Sequence, residues 1–279
     1  MKQILGDNQF FGINHYDLEK GDKTKQKFST NQSIIEFIDE ALSIGLDGFM
    51  INSNERGFEI ANEIQIGDSA EIHYSVPYPH KFASMVNENG MFYLFRYVWK
   101  KSTYGSLLLK APQFIFTRDV KKILPLIVDL EIPENLSRGS YIYLQNIVTD
   151  LVLGLKRYDL LEEYCRAIIN KGYKPGIITL NPILLDEVVS SFPFDIQKKL
   201  IVCFNINKTG FNVFPSRDEV EQFVSKSHPY KKMGMSILSS GGVNNIQDSL
   251  EYIKELPLDY VVYGSSKLKN IESNFKSLK

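Results

Sequence analysis

Cysteine is nearly absent from this chain: only Cys165 and Cys203 occur, far apart and in no metal-ligand spacing. That argues against a disulfide-stapled scaffold and is compatible with a reducing compartment. Histidine is also sparse, with four, and neither HExxH nor a paired Cys/His cluster appears, so no protein-built metal site is expected. Neither sign of charge is in excess: 32 Lys plus Arg face 33 Asp plus Glu. Nothing therefore drives sequence-independent binding to nucleic acid or to an anionic membrane, and neither is expected as a partner. No window approaches the roughly 18 consecutive apolar residues that would span a bilayer. The N-terminus has a single charge, Lys2, before a very short apolar run and no cleavage-like site, so a soluble, cytoplasmic protein is expected. A GxSxG elbow, a GxxxxGK[ST] loop, a fixed-period repeat and a low-complexity tract are all missing as well.

What is present is a strand and helix alternation. The 279 residues are 43% hydrophobic, 12% aromatic and 23% charged, ordinary globular values with ample material for a core. Eight short apolar or β-branched runs, near 2–6, 47–52, 71–77, 141–146, 175–181, 199–205, 233–239 and 259–264, alternate with segments of helical period. The pattern predicts an α/β fold, a single (β/α)8 barrel over residues 1–279. Ser33-x-x-Glu36 and Ser216-x-x-Glu219 read as capping boxes, and Gly45 and Gly172 as helix stops. About 60 residues separate the third run from the fourth, twice what a helical connection needs, so a helical insertion is expected at about 80–138. Its helical patterns, around 81–101 and 117–130, include Met85, Met91, Phe92, Leu94, Phe95, Tyr97, Val98 and Trp99. Such a face reads as packed core, as a lid, or as a contact through which the chain forms a homo-oligomer.

The last forty-odd residues hold two glycine-bearing strand-to-helix turns, Ser239-Ser240-Gly241-Gly242 and Gly264-Ser265-Ser266. Glycine lets backbone approach an anion closely, and the free N–H groups at a helix start favour phosphate. In a (β/α)8 barrel the turns after strands seven and eight are the usual phosphate site. Ser240, Gly241, Gly242, Gly264, Ser265 and Ser266 are therefore the phosphate-binding candidates, and a phosphorylated small molecule the expected ligand.

Residues just past each strand line the mouth where barrel enzymes do their chemistry. Five of the eight ends offer side-chain amides, and the substrate-binding candidates are Asn8, Gln9, Asn52, Asn54, Asn146, Asn181 and Asn205. Amides suit hydroxyl or carbonyl groups of a ligand, yet Asn also favours turns for its own backbone reasons, and both readings stand. The catalytic candidates are Asp7, which ends the first strand and is the best general base, Glu55 beside the second, and Lys208 beyond the sixth. His15, His80 and Lys81 could also reach the mouth, while His73 lies within a strand and reads as core or catalytic. Phe10 and Phe11, before Gly12, either wall a ligand or plug the barrel top.

The two terminal turns resemble the phosphate site of phosphate-binding β/α barrels, which include sugar-phosphate isomerases, lyases and flavin-nucleotide enzymes. More narrowly, Tyr263-Gly264-Ser265-Ser266-Lys267 through Phe275 resembles the last strand and helix of aldo-keto reductases, where the turn holds the adenosine-side phosphate of NADP. The opening Ile-Leu-Gly strand, the aromatic-glycine turn and Ala41-Leu42-Ser43-Ile44-Gly45 share that likeness. Those reductases use an Asp and a Tyr after strand two, a Lys in strand three and a His at strand four. Here the corresponding stretches read Asn52-Ser53-Asn54-Glu55-Arg56-Gly57, His73-Tyr74-Ser75-Val76-Pro77 and Gln145-Asn146, so none of the four roles has a matching residue. Three readings follow: a lyase or isomerase acting on a small phosphorylated metabolite, an oxidoreductase using NADP or FMN, and a non-catalytic metabolite-binding barrel. The cofactor, if any, is not specified by these residues.

Overall fold

Short runs such as Ile-Leu, Phe-Met-Ile and Val-Val, buried on both faces, can form parallel strands only where helices cover the outside. That is the arrangement in the computed structural model, which describes residues 1–12, 26–65, 70–77 and 128–279. Its strands are β1 (Lys2–Leu5), β2 (Gly48–Asn52), β3 (Glu71–Val76), β4 (Tyr141–Leu144), β5 (Lys174–Thr179), β6 (Ile201–Asn205), β7 (Lys231–Met235) and β8 (Tyr260–Tyr263). They pair in sequence order, all parallel, and β8 closes on β1 with Lys2 opposite Tyr260 and Leu5 opposite Tyr263. The fold is a (β/α)8 TIM barrel.

The described helices are α1 (Asn31–Ile44), α2 (Glu55–Glu63), α3 (Asn146–Gly154), α4 (Tyr158–Asn170), α5 (Pro182–Val189), α6 (Phe194–Gln197), α7 (Arg217–Ser225), α8 (Ile246–Glu255) and α9 (Leu268–Leu278). Their apolar residues fall at helical spacing on the face toward the sheet, as with Ile34, Phe37, Ile38 and Ala41 of α1. The main core lies in that layer between strands and helices. A second core fills the lumen: Ile4, Tyr141, Tyr143, Cys203, Met233 and Tyr260 meet inside the strands, so the barrel is a packed plug and not a pore.

Several local expectations are realised and some are displaced. Ser216 caps α7, its Oγ accepting from the Glu219 amide at 3.3 Å and donating to Glu219 Oε2 at 2.6 Å. Gly45 ends α1 in left-handed backbone at φ 119°, and Gly172 follows α4 at φ 82°. The capping box expected at Ser33 is not the helix start: Thr30 Oγ1 accepts from the Ser33 amide, and Ser33 lies inside the first turn. Both residues offer a hydroxyl; the cap falls where the buried face of α1 must begin. Strand seven also ends four residues earlier than expected, at Met235, because Ser236, Ser239 and Ser240 turn out of extended backbone with φ of 57°, 48° and 55°. Most of the expected insertion, with its two helical patterns, lies outside the described residues, as do His15, His80 and Lys81.

Candidate active site at the barrel mouth

Asp7 follows β1 and is 9% exposed at the C-terminal end of the barrel. Its Oδ2 accepts two bonds from the end of β2, from the Asn52 amide at 2.8 Å and from Asn52 Nδ2 at 2.5 Å. The opposite face of that Asn52 amide group is used in turn: Oδ1 accepts from Asn54 Nδ2 at 2.8 Å and from the Asn54 amide at 3.2 Å. Asn54 then caps α2, its Oδ1 accepting from the Gly57 amide at 2.8 Å. A Cβ on Gly57 would come within 2.0 Å of the Asn52 carbonyl oxygen, so this relay requires glycine there. Asp7 is thus linked, through two asparagines, to the start of α2.

Burial raises the Asp7 carboxyl from its ordinary 3.8 to about 6, and the bonds from Asn52, which favour the ionised form, offset only part of that. A carboxyl poised near neutral pH suits a group that gives and takes a proton. Beside it, Ser75, the last residue but one of β3, lies opposite Asn52 in the sheet, and Gln145 after β4 donates from Nε2 to Ser75 Oγ at 3.3 Å.

The other sequence candidates separate by what their side chains already hold. Asn181 caps α5, accepting from the Leu184 amide at 3.1 Å, and Asn205 donates to the Asn212 carbonyl at 2.8 Å. With Asn54, these amides serve the turns that carry them, whereas Asn52 also holds Asp7. Asn8 is exposed and Asn146 opens α3, neither with a side-chain partner among the described residues. Glu55 is exposed at the first position of α2. Lys208 is ion-paired with Asp248 of α8, and its side chain is 44% exposed. His73 is fully buried in the lumen, its Nδ1 2.8 Å from Tyr143 Oη and its ring stacked on Tyr141, and burial lowers its pKa. Phe10 is buried in a cluster of edge-on rings with Phe28 and Phe37, so it belongs to the core.

At the β7 turn, Ser239–Gly241 forms a short 3-10 turn, and α8 begins only at Ile246 with Asn245 as its cap. The Gly241 and Gly242 amides donate within the turn, to the Leu238 and Ser239 carbonyls. At the β8 turn, the Gly264, Ser265 and Ser266 amides have no acceptor among the described residues, and neither does Ser240. Gln9 lies across Gly264, where a Cβ would come 2.1 Å from Gln9 Oε1, and its Nε2 donates to the Gly6 carbonyl at 2.5 Å. Lys27 brings its ammonium to the Ser266 carbonyl. Sequence reasoning missed Lys27: it lies 239 residues away along the chain, and no local pattern marks it. Among the described residues no group of three or more His, Cys, Asp or Glu is placed to hold a metal, and no helix is long and apolar enough to cross a membrane.

No protein-family profile and no curated protein matches the chain. Solved structures do. It is similar to an aldo-keto reductase from Klebsiella pneumoniae in complex with NADPH, at 10% identity and a TM-score of 0.55, covering 99% of this chain and 84% of that one. The holo form of an aldo-keto reductase from Bacillus halodurans gives 9% identity and 0.54 over 90% and 83%. A Pseudomonas aeruginosa protein provisionally named an aldo-keto reductase gives 10% and 0.58 over 99% and 91%. The structural neighbours of this chain are thus aldo-keto reductases, a family of metabolic TIM-barrel enzymes, and at these identities the likeness is one of fold.

Proposed function

We propose that the protein is an aldo-keto-reductase-like enzyme that holds a phosphate-bearing ligand at the turns after β7 and β8 and moves a proton through Asp7. The observation that carries this reading is the Asp7 carboxyl itself, buried at the mouth and raised to about 6. The barrel shared with reductases supports it, and so does the β8 turn, where uncommitted amides and the Lys27 ammonium suit a phosphate. The concentration of left-handed serines at the β7 turn is strain of the kind found at ligand clamps.

A nicotinamide dinucleotide fits the phosphate end of this site and, when bound, would supply hydride transfer. The chain's own contribution is to grip the phosphate with Gly264, Ser265 and Ser266 and to exchange a proton at Asp7 Oδ1, since Oδ2 is held by Asn52. Ser75 and Gln145 would orient the reacting carbonyl or hydroxyl as uncharged partners. Titration with NADPH and NADH, followed by cofactor fluorescence and melting temperature, tests the assignment. A shift with either dinucleotide that Ser265→Asp abolishes is the expected result, because the new carboxylate repels phosphate. No shift with either at millimolar concentration rejects the oxidoreductase reading.

A second reading, a lyase or isomerase acting on a phosphorylated metabolite, is favoured by one specific observation: Asp7 is present while the reductases' Tyr, Lys and His are not. Sugar phosphates that raise the melting temperature where dinucleotides do not would select it.

A further inference from the structure

The opposite face of the barrel carries a feature that the mouth does not explain. At the N-terminal ends of β4 to β7 a cleft of about 390 Å³ is lined by Lys174, Lys198, Lys199, Lys231, Tyr141 and Tyr173, with no acidic residue among its lining groups. Lys174 and Lys231 are the first residues of β5 and β7, and Lys198 and Lys199 fill the tight turn before β6. None of the four has a carboxylate within ion-pairing distance among the described residues, whereas Lys2, Lys171, Lys208 and Lys276 are each paired. Glu71, the first residue of β3, is already bonded by Lys2 at 2.7 Å. Three of these lysines lie over aromatic faces: Lys174 Nζ is 4.9 Å from the Tyr141 centroid, Lys231 Nζ 5.4 Å from that of Tyr260 and Lys198 Nζ 4.4 Å from that of Phe194, and Lys231 Nζ also donates to Tyr260 Oη at 3.4 Å. Arg138, at 4.8 Å over the Tyr173 ring, adds a fifth cation at the rim.

In a chain of formal net charge −1, four ammonium groups around one opening, with no ion-pair partner among the described residues, are a local field that repels itself. An anion placed among them would relieve the repulsion, and lysine is well suited to phosphate as a mobile point charge. The volume falls in the range of small-molecule sites. We propose that this cleft is a second ligand site, one that takes a small polyanion carrying two or more linked phosphoryl groups. A single phosphate would satisfy only part of the array; a chain of them can meet lysines contributed by the starts of β5, β6 and β7 together. The site is independent of the one at the mouth.

Calorimetric titration with inorganic tripolyphosphate at low salt tests it. Saturable binding is expected, and Lys198→Ala/Lys199→Ala and Lys174→Ala/Lys231→Ala should each weaken it by about tenfold or more, the loss of charge-assisted bonds. Lys254→Ala, an exposed lysine on α8, should leave affinity within about twofold of wild type, as a distant site should. A nucleoside triphosphate titrated in parallel identifies the source of the phosphate chain: tighter binding than tripolyphosphate assigns the aromatic rings to a base, and equal binding assigns the site to the phosphates alone. The proposal is overturned by absence of binding at millimolar tripolyphosphate, by lysine-pair variants that bind as tightly as wild type, or by a loss in Lys254→Ala as large as in the lysine pairs. Circular dichroism of each variant separates lost binding from lost fold, and all four lysines are exposed, so the fold is expected to persist.

Discussion

Asp7→Asn should make the protein more stable at neutral pH while abolishing turnover. The rise of the Asp7 carboxyl from 3.8 to about 6 corresponds to about 3 kcal/mol of differential interaction between its two protonation states. Its sign is opposite to that of a salt-bridged carboxylate. In the unfolded chain the group ionises near 3.8, in the folded protein only near 6, so above about pH 6 the buried charge opposes folding by the full amount. As pH falls from 6 toward 3.8 the folded state takes up the proton first, and that opposition disappears. Asn is nearly isosteric and neutral, and its Oδ1 can accept the same two bonds from Asn52, though as weaker neutral bonds. The variant should therefore gain about 1–2 kcal/mol at pH 8, what remains of the 3 kcal/mol after those bonds weaken, and almost nothing near pH 4. Urea unfolding of wild type and variant at pH 4, 6 and 8 measures this directly, and the difference between the two curves removes every group they share. A variant no more stable than wild type at pH 8, or a gain independent of pH, would refute the assignment of a strained buried carboxylate. If Asp7 is the base of the proposed reaction, the same titration predicts that kcat/KM rises through about pH 6.

Three other outcomes are expected. His73 is held neutral by burial, its pKa below the usual 6.5, so the unfolded chain binds its proton more readily and His73 destabilises the fold as pH drops below about 6.5; a His73→Gln variant should show a flatter stability profile on the acid side in urea melts at pH 5 and 7. Gly176→Ala would put a Cβ 2.4 Å from Tyr143 Cδ1, inside a lumen with no room to yield, and should lose about 1–3 kcal/mol in thermal or urea unfolding. Gly264→Ala instead meets only the end of the Gln9 side chain, so it should lose about 1 kcal/mol by breaking the bond to the Gly6 carbonyl, and Gln9→Ala in the same chain should remove most of that loss, which a double-mutant cycle reads.

The strands were legible because their signal is local. Each apolar run is bounded by turn residues within a few positions, and all eight occur within about four residues of where the alternation puts them. Gly45, Gly172 and Ser216 were legible for the same reason, since a stop or a cap is a contact between residues three or four apart. The roles of the asparagines were not. Asn52, Asn54, Asn181 and Asn205 look alike as residues at strand ends, but whether an amide faces a ligand or the protein itself depends on which donors and acceptors the assembled barrel brings within hydrogen-bond distance. Asp7 was identifiable as the residue ending β1; that its carboxyl would be buried against the end of β2, 45 positions away, was not.

By itself, then, the sequence determined the order of strands and helices, the barrel that such an order builds, and the residues available at its mouth, because periodicity and turn chemistry act over a few residues. Only the tertiary structure decided which of those residues are already engaged, that Lys27 stands beside the Gly264 turn, and that lysines from positions 174, 198, 199 and 231 surround one cleft. Desolvation and charge clustering are properties of neighbours in space, and closure of the barrel makes neighbours of residues that the chain keeps far apart.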